Sequence, residues 1–402
     1  MKNDGKFRLA FWFQHHHSKT AKSLLSLITS SFIFSQDRAC SSIPVPNSKN
    51  SVLVDYLTGS LRFSQARALA ISTRFTRTKS LERPEKVVIF FKALGLSDTQ
   101  IQSVAHTLPN ILFANAERTL IPKVEFLQEL GLSGPCLVSF ISRNPHTLNF
   151  SLDRSLRPSI LLIKKVLKND GRNKSDEQIT SDLFRVLMSG SWIIGIHMKS
   201  RLEANIRFFE SCGIVGSQLS ALLLRQTGIF SMSQEKVEQL VSRALDMGFT
   251  LGSKMLVHAV SSLSSLNIKT LNGRFGAVRV FGFSDDELLS MFRQSPSAFN
   301  PSEAKLRWKH EFFLNNLKID KSVLVKYPIL MTFSVEKRVI PRFKVLEILK
   351  SRKLCRKDLS FYYVMCMSNS RFLQDCILRF KDDAGELLLA NLLRMSFHSS
   401  ND

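Results

Sequence analysis

The sequence predicts an all-α protein in which about eight or nine αα repeats stack into a right-handed superhelical solenoid. Three patterns predict this fold: prolines that recur in pairs, glycines that recur at a regular spacing, and apolar residues at helical spacing. A single αα unit cannot bury its apolar face alone, so stacking of neighbouring units follows from the repetition.

Paired prolines interrupt stretches that otherwise have a helical pattern. Within residues 106–133, Pro109 and Pro122 are thirteen residues apart. The same spacing recurs in two further pairs, Pro145 with Pro158 and Pro328 with Pro341. A proline inside a helix costs roughly 3 kcal/mol. We therefore expect the first proline to end one helix and the second to lie in or near the first turn of the next.

One position, usually a glycine, recurs once in each unit and serves to align the units; we call it the anchor. The anchors are residues 95, 131, 173, 213, 248, 282, 318 and 350, with gaps of 32 to 42 residues between neighbours. The longest gaps fall at the polar insertion LKNDGRNKSDEQ, which indicates an extended loop between helices. A degenerate unit precedes the first anchor, at residues 54–75, and residues 252–279 match the pattern poorly.

Each unit opens on a helix-start signal. Two residues after an anchor, the S-x-x-E/Q capping box occurs as Ser97–Gln100, Ser175–Gln178 and Ser284–Glu287. The first helix ends before the first proline, a short connector follows, and the second helix ends at the next glycine in a left-handed C-cap. Each connector carries a phenylalanine that we assign to the core: Phe113, Phe150, Phe230, Phe299 and Phe333.

Composition favours a polyanionic partner. The 402 residues carry a formal net charge of +23, and the pI is near 10.0. Such an excess is typical of proteins that bind nucleic acid or an acidic membrane surface. No apolar run approaches the roughly 18 residues of a membrane-spanning helix. We expect nucleic acid as the partner and no membrane.

Catalytic and metal-binding patterns are missing from the sequence. It contains no GxGxxG, P-loop or HExxH motif. The six cysteines are scattered, without a CxxC pair or a histidine at zinc-ligand spacing. We expect neither catalysis, nor a cofactor, nor a metal.

The N-terminal segment differs from the rest of the chain. Between Gly5 and Gln36 there is no acidic residue, while basic residues alternate with apolar ones and serines. This pattern predicts an organelle transit peptide at residues 1–50, with a disordered tail as the other interpretation. Residues 51–384 then form the repeat domain and residues 385–402 a C-terminal tail. We expect a mitochondrial protein, with the chloroplast as the alternative.

Cations cluster towards the C-terminus. Residues 305–358 contain fifteen Lys or Arg and five Asp or Glu, a net charge of +10. Four residues before the second proline stands Arg118, Arg154 or Lys337, and Lys305 takes this place where Lys309 replaces the proline. Equivalent positions of stacked repeats line up, so these four predict a ladder of phosphate contacts. The competing interpretation is that solvent-facing repeat positions accept Lys or Arg freely.

Cations that flank the same positions complete the predicted site. Trp308, among the cations near residue 305, is a candidate for base stacking, although burial fits its aligned position better. The predicted nucleic-acid-binding residues are Arg118, Lys123, Arg154, Arg157, Lys305, Arg307, Lys309, Lys337, Arg338, Arg342 and Lys344.

The chain resembles the mitochondrial transcription termination factor (mTERF) family, particularly its plant members. The resemblance rests on the second-helix openings LIPKVEFLQELGLS and VIPRFKVLEIL and the C-terminal stretch NSRFLQDCILRFKDD. It rests also on the first-helix endings HTLPNIL, SRNPHTL, RQSPSAF and VKYPILM. Coverage extends over residues 51–384, although Trp192 and Gly228 lie near where a first proline is expected. The resemblance implies a curved half-ring whose basic concave surface binds nucleic acid in an organelle.

Three functions follow as expectations. The first is regulation of transcription, by termination or related control, through binding to double-stranded DNA. The second is RNA binding in organellar intron splicing or RNA maturation, as the resemblance implies for some plant members. The third is a protein-interaction scaffold whose charge is incidental. The sequence has no coiled-coil heptads and leaves the oligomeric state open. We expect a monomer.

Overall fold

A computed structural model describes residues 51–75, 80–195, 198–354 and 359–380. The chain divides into two compact units, Met1–Ser51 and Val52–Asp402, and the described residues after Ser51 all belong to the second. The predicted transit peptide at residues 1–50 and the predicted tail at 385–402 lie outside the described residues.

The described residues form helices and no β-strand, which confirms the all-α prediction. The α-helices are α1 Ser51–Gly59, α2 Gln65–Arg74, α3 Glu82–Ala93, α4 Asp98–Thr107, α5 Ile121–Glu129, α6 Gly134–Arg143, α7 Arg157–Lys168, α8 Asp176–Ser189, α9 Met198–Ser211, α10 Ser217–Arg225, α11 Gln234–Asp246, α12 Lys254–Leu263, α13 Ile268–Arg279, α14 Asp285–Gln294, α15 Glu303–Glu311, α16 Lys321–Lys326, α17 Ile340–Ser351, α18 Phe361–Cys366 and α19 Asn369–Phe372. None of these helices is both long and apolar enough to cross a membrane.

Shorter 3₁₀ helices and π turns join or extend these helices. The 3₁₀ helices are Pro109–Phe113, Pro145–Asn149, Ser191–Ile194, Thr227–Ser231, Pro296–Phe299, Pro328–Thr332 and Leu378–Phe380. The π turns are Ala116–Leu120, Leu152–Leu156, Phe312–Asn316, Val335–Val339 and Leu373–Ile377.

The helices form successive pairs that pack in chain order. Within the described ranges, eight pairs run from α4 with α5 to α18 with α19, and α1 to α3 precede them. First helices contact first helices of the next pair, as α4 with α6 and α6 with α8. Second helices do the same, as α7 with α9 and α13 with α15. Each repeat therefore buries its faces against its neighbours. The superhelical handedness and the half-ring curvature stay predictions.

The first helices begin and end as the sequence predicts. All three predicted capping boxes form; Ser97 Oγ accepts from the N–H of Gln100, and Gln100 Oε1 accepts from the N–H of Ser97. A 3₁₀ helix starts at each first proline, as at Pro109 and Pro145. It also forms at Ser191 and Thr227, where no proline stands. The connector is thus a property of the repeat, and proline only reinforces it.

The second helices begin earlier than their prolines suggest. Pro122 lies in the first turn of α5 as expected, but the π turn Ala116–Leu120 runs directly into that helix, and the N-cap is Asn115. In an α-helix the proline ring clashes with the carbonyl four residues before it. The wider π turn, whose hydrogen bonds run five residues back, relieves this clash. Pro158 and Pro341 also follow π turns, whereas α11, α13 and α15, with no proline there, start without one.

Seven of the eight predicted anchor positions adopt the left-handed backbone with a positive φ. Gly131 has a φ of +90°, and a Cβ there would lie 3.0 Å from Thr180 Cγ2 in α8. The predicted anchors Asn173 and Lys318 also have positive φ. The last anchor requires a correction, since Lys350 lies within α17 and Lys353, with φ +57°, ends the repeat.

A single hydrophobic core runs through the described repeats. The connector phenylalanines belong to it, as predicted: Phe230 and Phe299 are buried, and the other three pack against it half-buried. These rings therefore contribute to the core rather than to an exposed surface.

Candidate nucleic-acid interface

Four predicted cations occupy the same position in their repeats. Each stands three residues after the N-cap of a second helix, and its backbone N–H donates to the N-cap side chain. In the first case the N–H of Arg118 lies 2.9 Å from Asn115 Oδ1. The other pairs are Arg154 with Ser151, Lys305 with Ser302 and Lys337 with Ser334.

Alignment on the N-cap adds two cations at this position that alignment on the prolines misses. Lys236 stands three residues after Ser233, the N-cap of α11. Arg371 stands three after Ser368, and its N–H donates to Ser368 Oγ at 3.2 Å. The signal in the sequence is S/N-x-x-K/R: NAER, SLDR, SQEK, SEAK, SVEK and SNSR. We call the six side chains the second-helix cation row: Arg118, Arg154, Lys236, Lys305, Lys337 and Arg371.

The six side chains of the row are exposed. Among the described residues, Arg371 is the one member in an ion pair, with Asp375 at 3.1 Å. A cation near a helix N-terminus is mildly unfavourable, because the helix dipole is positive there. An acidic residue in the same turn offsets this effect, as Glu117, Asp153 and Glu336 do. Five of the six cations in the row thus form no ion pair among the described residues and are open to an anionic ligand.

Three other predicted phosphate contacts are buried. Lys123, Lys309 and Arg342 are 8%, 4% and 3% exposed. Their donors are taken up by acceptors of the following repeat: Leu148 O for Lys123, Met331 O and Phe333 O for Lys309, and Val364 O, Met365 O, Met367 O and Asn369 Oδ1 for Arg342. A charge is buried only when hydrogen bonds replace its hydration. We therefore remove these three residues from the phosphate contacts.

These buried donors belong to a series that joins neighbouring repeats. Each comes from a second helix and bonds main-chain carbonyls that lead into the second helix of the next repeat. We call them the inter-repeat tethers: Lys123, Asn205, Arg243, Arg274, Lys309 and Arg342. In the repeat of α7 the corresponding residue is Ser159, which is buried and whose Oγ has no hydrogen-bond partner among the described residues. Solenoid stability depends on such nearest-neighbour contacts.

The π turns explain why sequence alignment misplaces one tether. Lys123 stands eight residues after its N-cap and Lys309 only seven, yet both bond the carbonyl of the fourth residue of the 3₁₀ helix in the next repeat, Leu148 O and Met331 O. The π turn before α5 absorbs one extra residue, whereas α15 starts without a π turn. Lys309 is consequently equivalent in space to the residue after Pro122, although alignment places it on the proline.

Burial changes the proton affinity of three groups here. Lost hydration lowers the pKa of Lys309 to about 8 and that of Arg342 to about 10, and the neighbouring cations Lys305 and Arg338 add to the shift. Burial also lowers the pKa of His310 to about 4. Its Nδ1 lies 2.8 Å from Leu306 O, and no described residue bonds its Nε2. His310 is therefore neutral at physiological pH.

Two further predicted phosphate contacts, Arg157 and Arg338, bond or pack against other groups of the protein. Arg157 lies over the Phe126 ring at 4.4 Å and 3.7 Å from Asp153. Arg338 donates to Met365 O at 2.9 Å and to Met367 O. Both are half-buried.

Two exposed cations and one aromatic ring complete the predicted set. Arg307 and Lys344 are exposed, but they stand at other positions of their repeats than the row. Trp308 is half-buried and stacks on Phe312 with ring centroids 5.9 Å apart. As its aligned position suggested, Trp308 packs against the protein.

Comparison with known families adds an independent finding. The mTERF family model matches two overlapping segments, residues 88–182 and 179–373. These segments contain all six members of the second-helix cation row and all six inter-repeat tethers.

One curated relative is a plant protein. The chain is 21% identical over 296 residues to "Transcription termination factor MTERF8, chloroplastic" of Arabidopsis thaliana. The aligned region covers 73% of this chain and 55% of the relative. The chain thus spans about half the length of that relative.

Proposed function

The chain belongs to the mTERF family, and on that premise we propose that it binds nucleic acid through the second-helix cation row and regulates transcription in an organelle. Membership of the family supports a role in organellar transcription through nucleic-acid binding. We propose double-stranded DNA as the preferred ligand, bound by a monomer, and termination or a related form of control as the outcome.

The second-helix cation row is the observation that carries this proposal. Six repeats present Lys or Arg from one position, fixed in five of them by the hydrogen bond to the N-cap. A nucleic-acid backbone is also a periodic array, of one phosphate charge per nucleotide. Contacts to such an array fix the position of the protein on its ligand but do not read sequence. The row thus accounts for affinity, and specificity requires other residues.

Two observations support an organelle as the compartment. The N-terminal segment has the basic, acid-poor composition of a transit peptide, and the Arabidopsis relative is named as chloroplastic. We propose the mitochondrion first and the chloroplast as the alternative. Imaging of the full chain fused at its C-terminus to a fluorescent protein distinguishes the two, and a diffuse cytosolic signal would overturn the assignment.

A salt series tests the function. Binding of the full chain to duplex DNA and to single-stranded RNA is measured between about 50 and 200 mM salt, a range in which six to ten phosphate contacts cost about 10³- to 10⁵-fold in affinity. The triple variant Arg154→Gln, Lys305→Gln and Lys337→Gln should lower the salt slope on duplex DNA by about 3, since each contact contributes about 0.9.

A matched triple variant controls for the loss of net charge. Lys165→Gln, Lys168→Gln and Lys350→Gln remove three exposed cations from the opposite ends of second helices α7 and α17. This variant should keep the wild-type slope. Equal slopes for both triple variants would reject the row as the site. Stronger binding to RNA would favour RNA maturation, and no binding at 50 mM salt would leave the protein-interaction scaffold.

A further inference from the structure

A tryptophan stands exposed beside the second-helix cation row. Trp192 lies in the 3₁₀ helix Ser191–Ile194 and is 53% exposed. Large aromatic rings are usually at least half-buried in a folded protein, where their area contributes to the core. The other exposed aromatic among the described residues, Tyr363, is covered by the guanidinium of Arg371 at 5.4 Å.

The position of Trp192 relative to the row is fixed by the repeat. It is the second residue of its 3₁₀ helix, a position held in the other repeats by Asn110, His146, Gly228, Ser297 and Ile329. In each of these five repeats the residue eight positions later is a member of the row. Trp192 thus holds the repeat position that precedes a row member elsewhere, in the repeat between those of Arg154 and Lys236, and its indole bonds Ser231, five residues before Lys236.

Neighbouring groups hold the indole in place and leave it uncovered. Trp192 Nε1–H donates to Ser231 Oγ at 3.3 Å, and the Ser231 hydroxyl donates to Gly228 O at 2.8 Å. A Cβ at Gly190 would lie 3.4 Å from Trp192 Cζ2. The ring is thus oriented by a hydrogen bond at its edge while about half of the residue's surface stays exposed.

We propose that Trp192 is a stacking platform for an unpaired nucleobase of a strand whose phosphates lie on the second-helix cation row. This inference rests on the proposed nucleic-acid function and adds a ligand contact to it. Base–aromatic stacking tolerates every base, because each has a π-face. In duplex DNA the bases are stacked on each other, so the contact requires a single-stranded or locally opened segment.

The test compares single strands with duplex. The full chain and Trp192→Ala are titrated with oligo(U), oligo(dT) and a mixed-sequence duplex, each of about 20 nucleotides per strand. We expect Trp192→Ala to weaken binding to single strands about five- to a hundredfold with an unchanged salt slope, and to leave duplex binding unaltered. Trp192→Phe should weaken single-strand binding less, because it keeps a stacking ring. The two oligonucleotides show whether RNA or DNA supplies the base.

A matched variant and a spectroscopic signal complete the design. Ile329→Ala removes an exposed apolar side chain from the same position of another repeat and should leave all affinities unchanged. Stacking quenches indole fluorescence, so the wild type should be quenched by oligo(U) or oligo(dT) more than Trp192→Phe is. This comparison holds even if Trp192→Ala fails to fold.

The outcomes separate this inference from the proposed function. Three results would each overturn the stacking platform. In the first, Trp192→Ala binds both single strands as tightly as the wild type does. In the second, the oligonucleotides quench wild type and Trp192→Phe equally, and in the third, Trp192→Ala loses as much affinity for duplex as for single strands. If one of these results is found while the triple variant Arg154→Gln, Lys305→Gln and Lys337→Gln has a reduced salt slope, only the stacking platform fails and the proposed function stands. If the wild type binds neither single strands nor duplex, both proposals fail.

Discussion

The ammonium group of Lys309 donates to the carbonyl oxygen of Phe333, 2.8 Å away in the following repeat. A second donor of the same ammonium reaches Met331 O. One side chain thus satisfies two carbonyls at the end of the 3₁₀ helix Pro328–Thr332. An unsatisfied buried carbonyl costs about 1–3 kcal/mol, so this bond pair links the stability of two repeats.

Removal of this tether should destabilise the repeat domain. Lys309→Met keeps the length and apolar stem of the side chain but leaves two carbonyls without a donor. We expect the free energy of unfolding to fall by about 1–3 kcal/mol, as measured by urea unfolding followed by circular dichroism. The control is Lys305→Met, four residues earlier and exposed, which should change stability by less than about 0.5 kcal/mol. Equal effects of the two variants would contradict the tether.

The same lysine should make stability depend on alkaline pH. Burial lowers the pKa of Lys309 from 10.5 to about 8, so between these values the unfolded chain binds more protons than the folded one. The penalty for burying the charge is full below pH 8 and disappears above about pH 10.5. The neutral amine keeps two N–H donors, enough for both carbonyls. The wild type should therefore gain stability relative to Lys309→Met as the pH rises through this window, by up to about 3 kcal/mol.

Urea unfolding of both proteins between pH 7.5 and 10.5 checks this sign. The difference between wild type and variant cancels the titration of tyrosines, cysteines and other lysines, which both proteins share. A difference that stays constant or shrinks with rising pH would show that Lys309 is not desolvated in the folded protein.

His310 should make the protein sensitive to acid. Its folded pKa of about 4 lies below its ordinary value of 6.5, because a charged imidazole in this apolar environment loses hydration. Stability from the neutral ring is full above pH 6.5 and is lost as the pH falls towards 4. The loss should approach about 3 kcal/mol.

His310→Phe has no titrating group and should lose less stability over the same range. Thermal unfolding from pH 7 to pH 4 measures both proteins, and the wild-type curve should fall more steeply than that of the variant. Parallel curves would assign the acid sensitivity to carboxylates elsewhere in the chain.

Gly131 should not tolerate a side chain. Its φ of +90° disfavours any L-residue, and a Cβ would lie 3.0 Å from Thr180 Cγ2. We expect Gly131→Ala to lower the free energy of unfolding by about 1–3 kcal/mol. Gly59→Ala is the matched control, since Gly59 closes α1 without a positive φ and a Cβ there would have no atom within 4 Å. That variant should be neutral or slightly stabilising, and a comparable loss in both would exclude strain as the cause.

The sequence alone was sufficient to predict the helical repeat and four residues of the second-helix cation row. Spacing of prolines and glycines predicted the helix pairs, because backbone restrictions at these residues act locally. Arg118, Arg154, Lys305 and Lys337 were predicted as equivalent, and their N-cap hydrogen bonds confirm that they share one position. Lys236 and Arg371 were missed because the alignment used prolines, which their repeats lack. Alignment on the N-cap Ser or Asn would have found both.

Tertiary structure alone decided which cations are free. Lys305 and Lys309 lie one helical turn apart on α15, yet one is exposed and the other holds the next repeat. No local pattern separates them, since the burial of Lys309 depends on carbonyls more than twenty residues ahead in the chain. The sequence by itself determined the helices, their pairing and the excess of positive charge. The packing of each repeat on the next determined which of those charges stabilise the fold and which remain open to a ligand, because burial and hydrogen bonding are properties of neighbours in space.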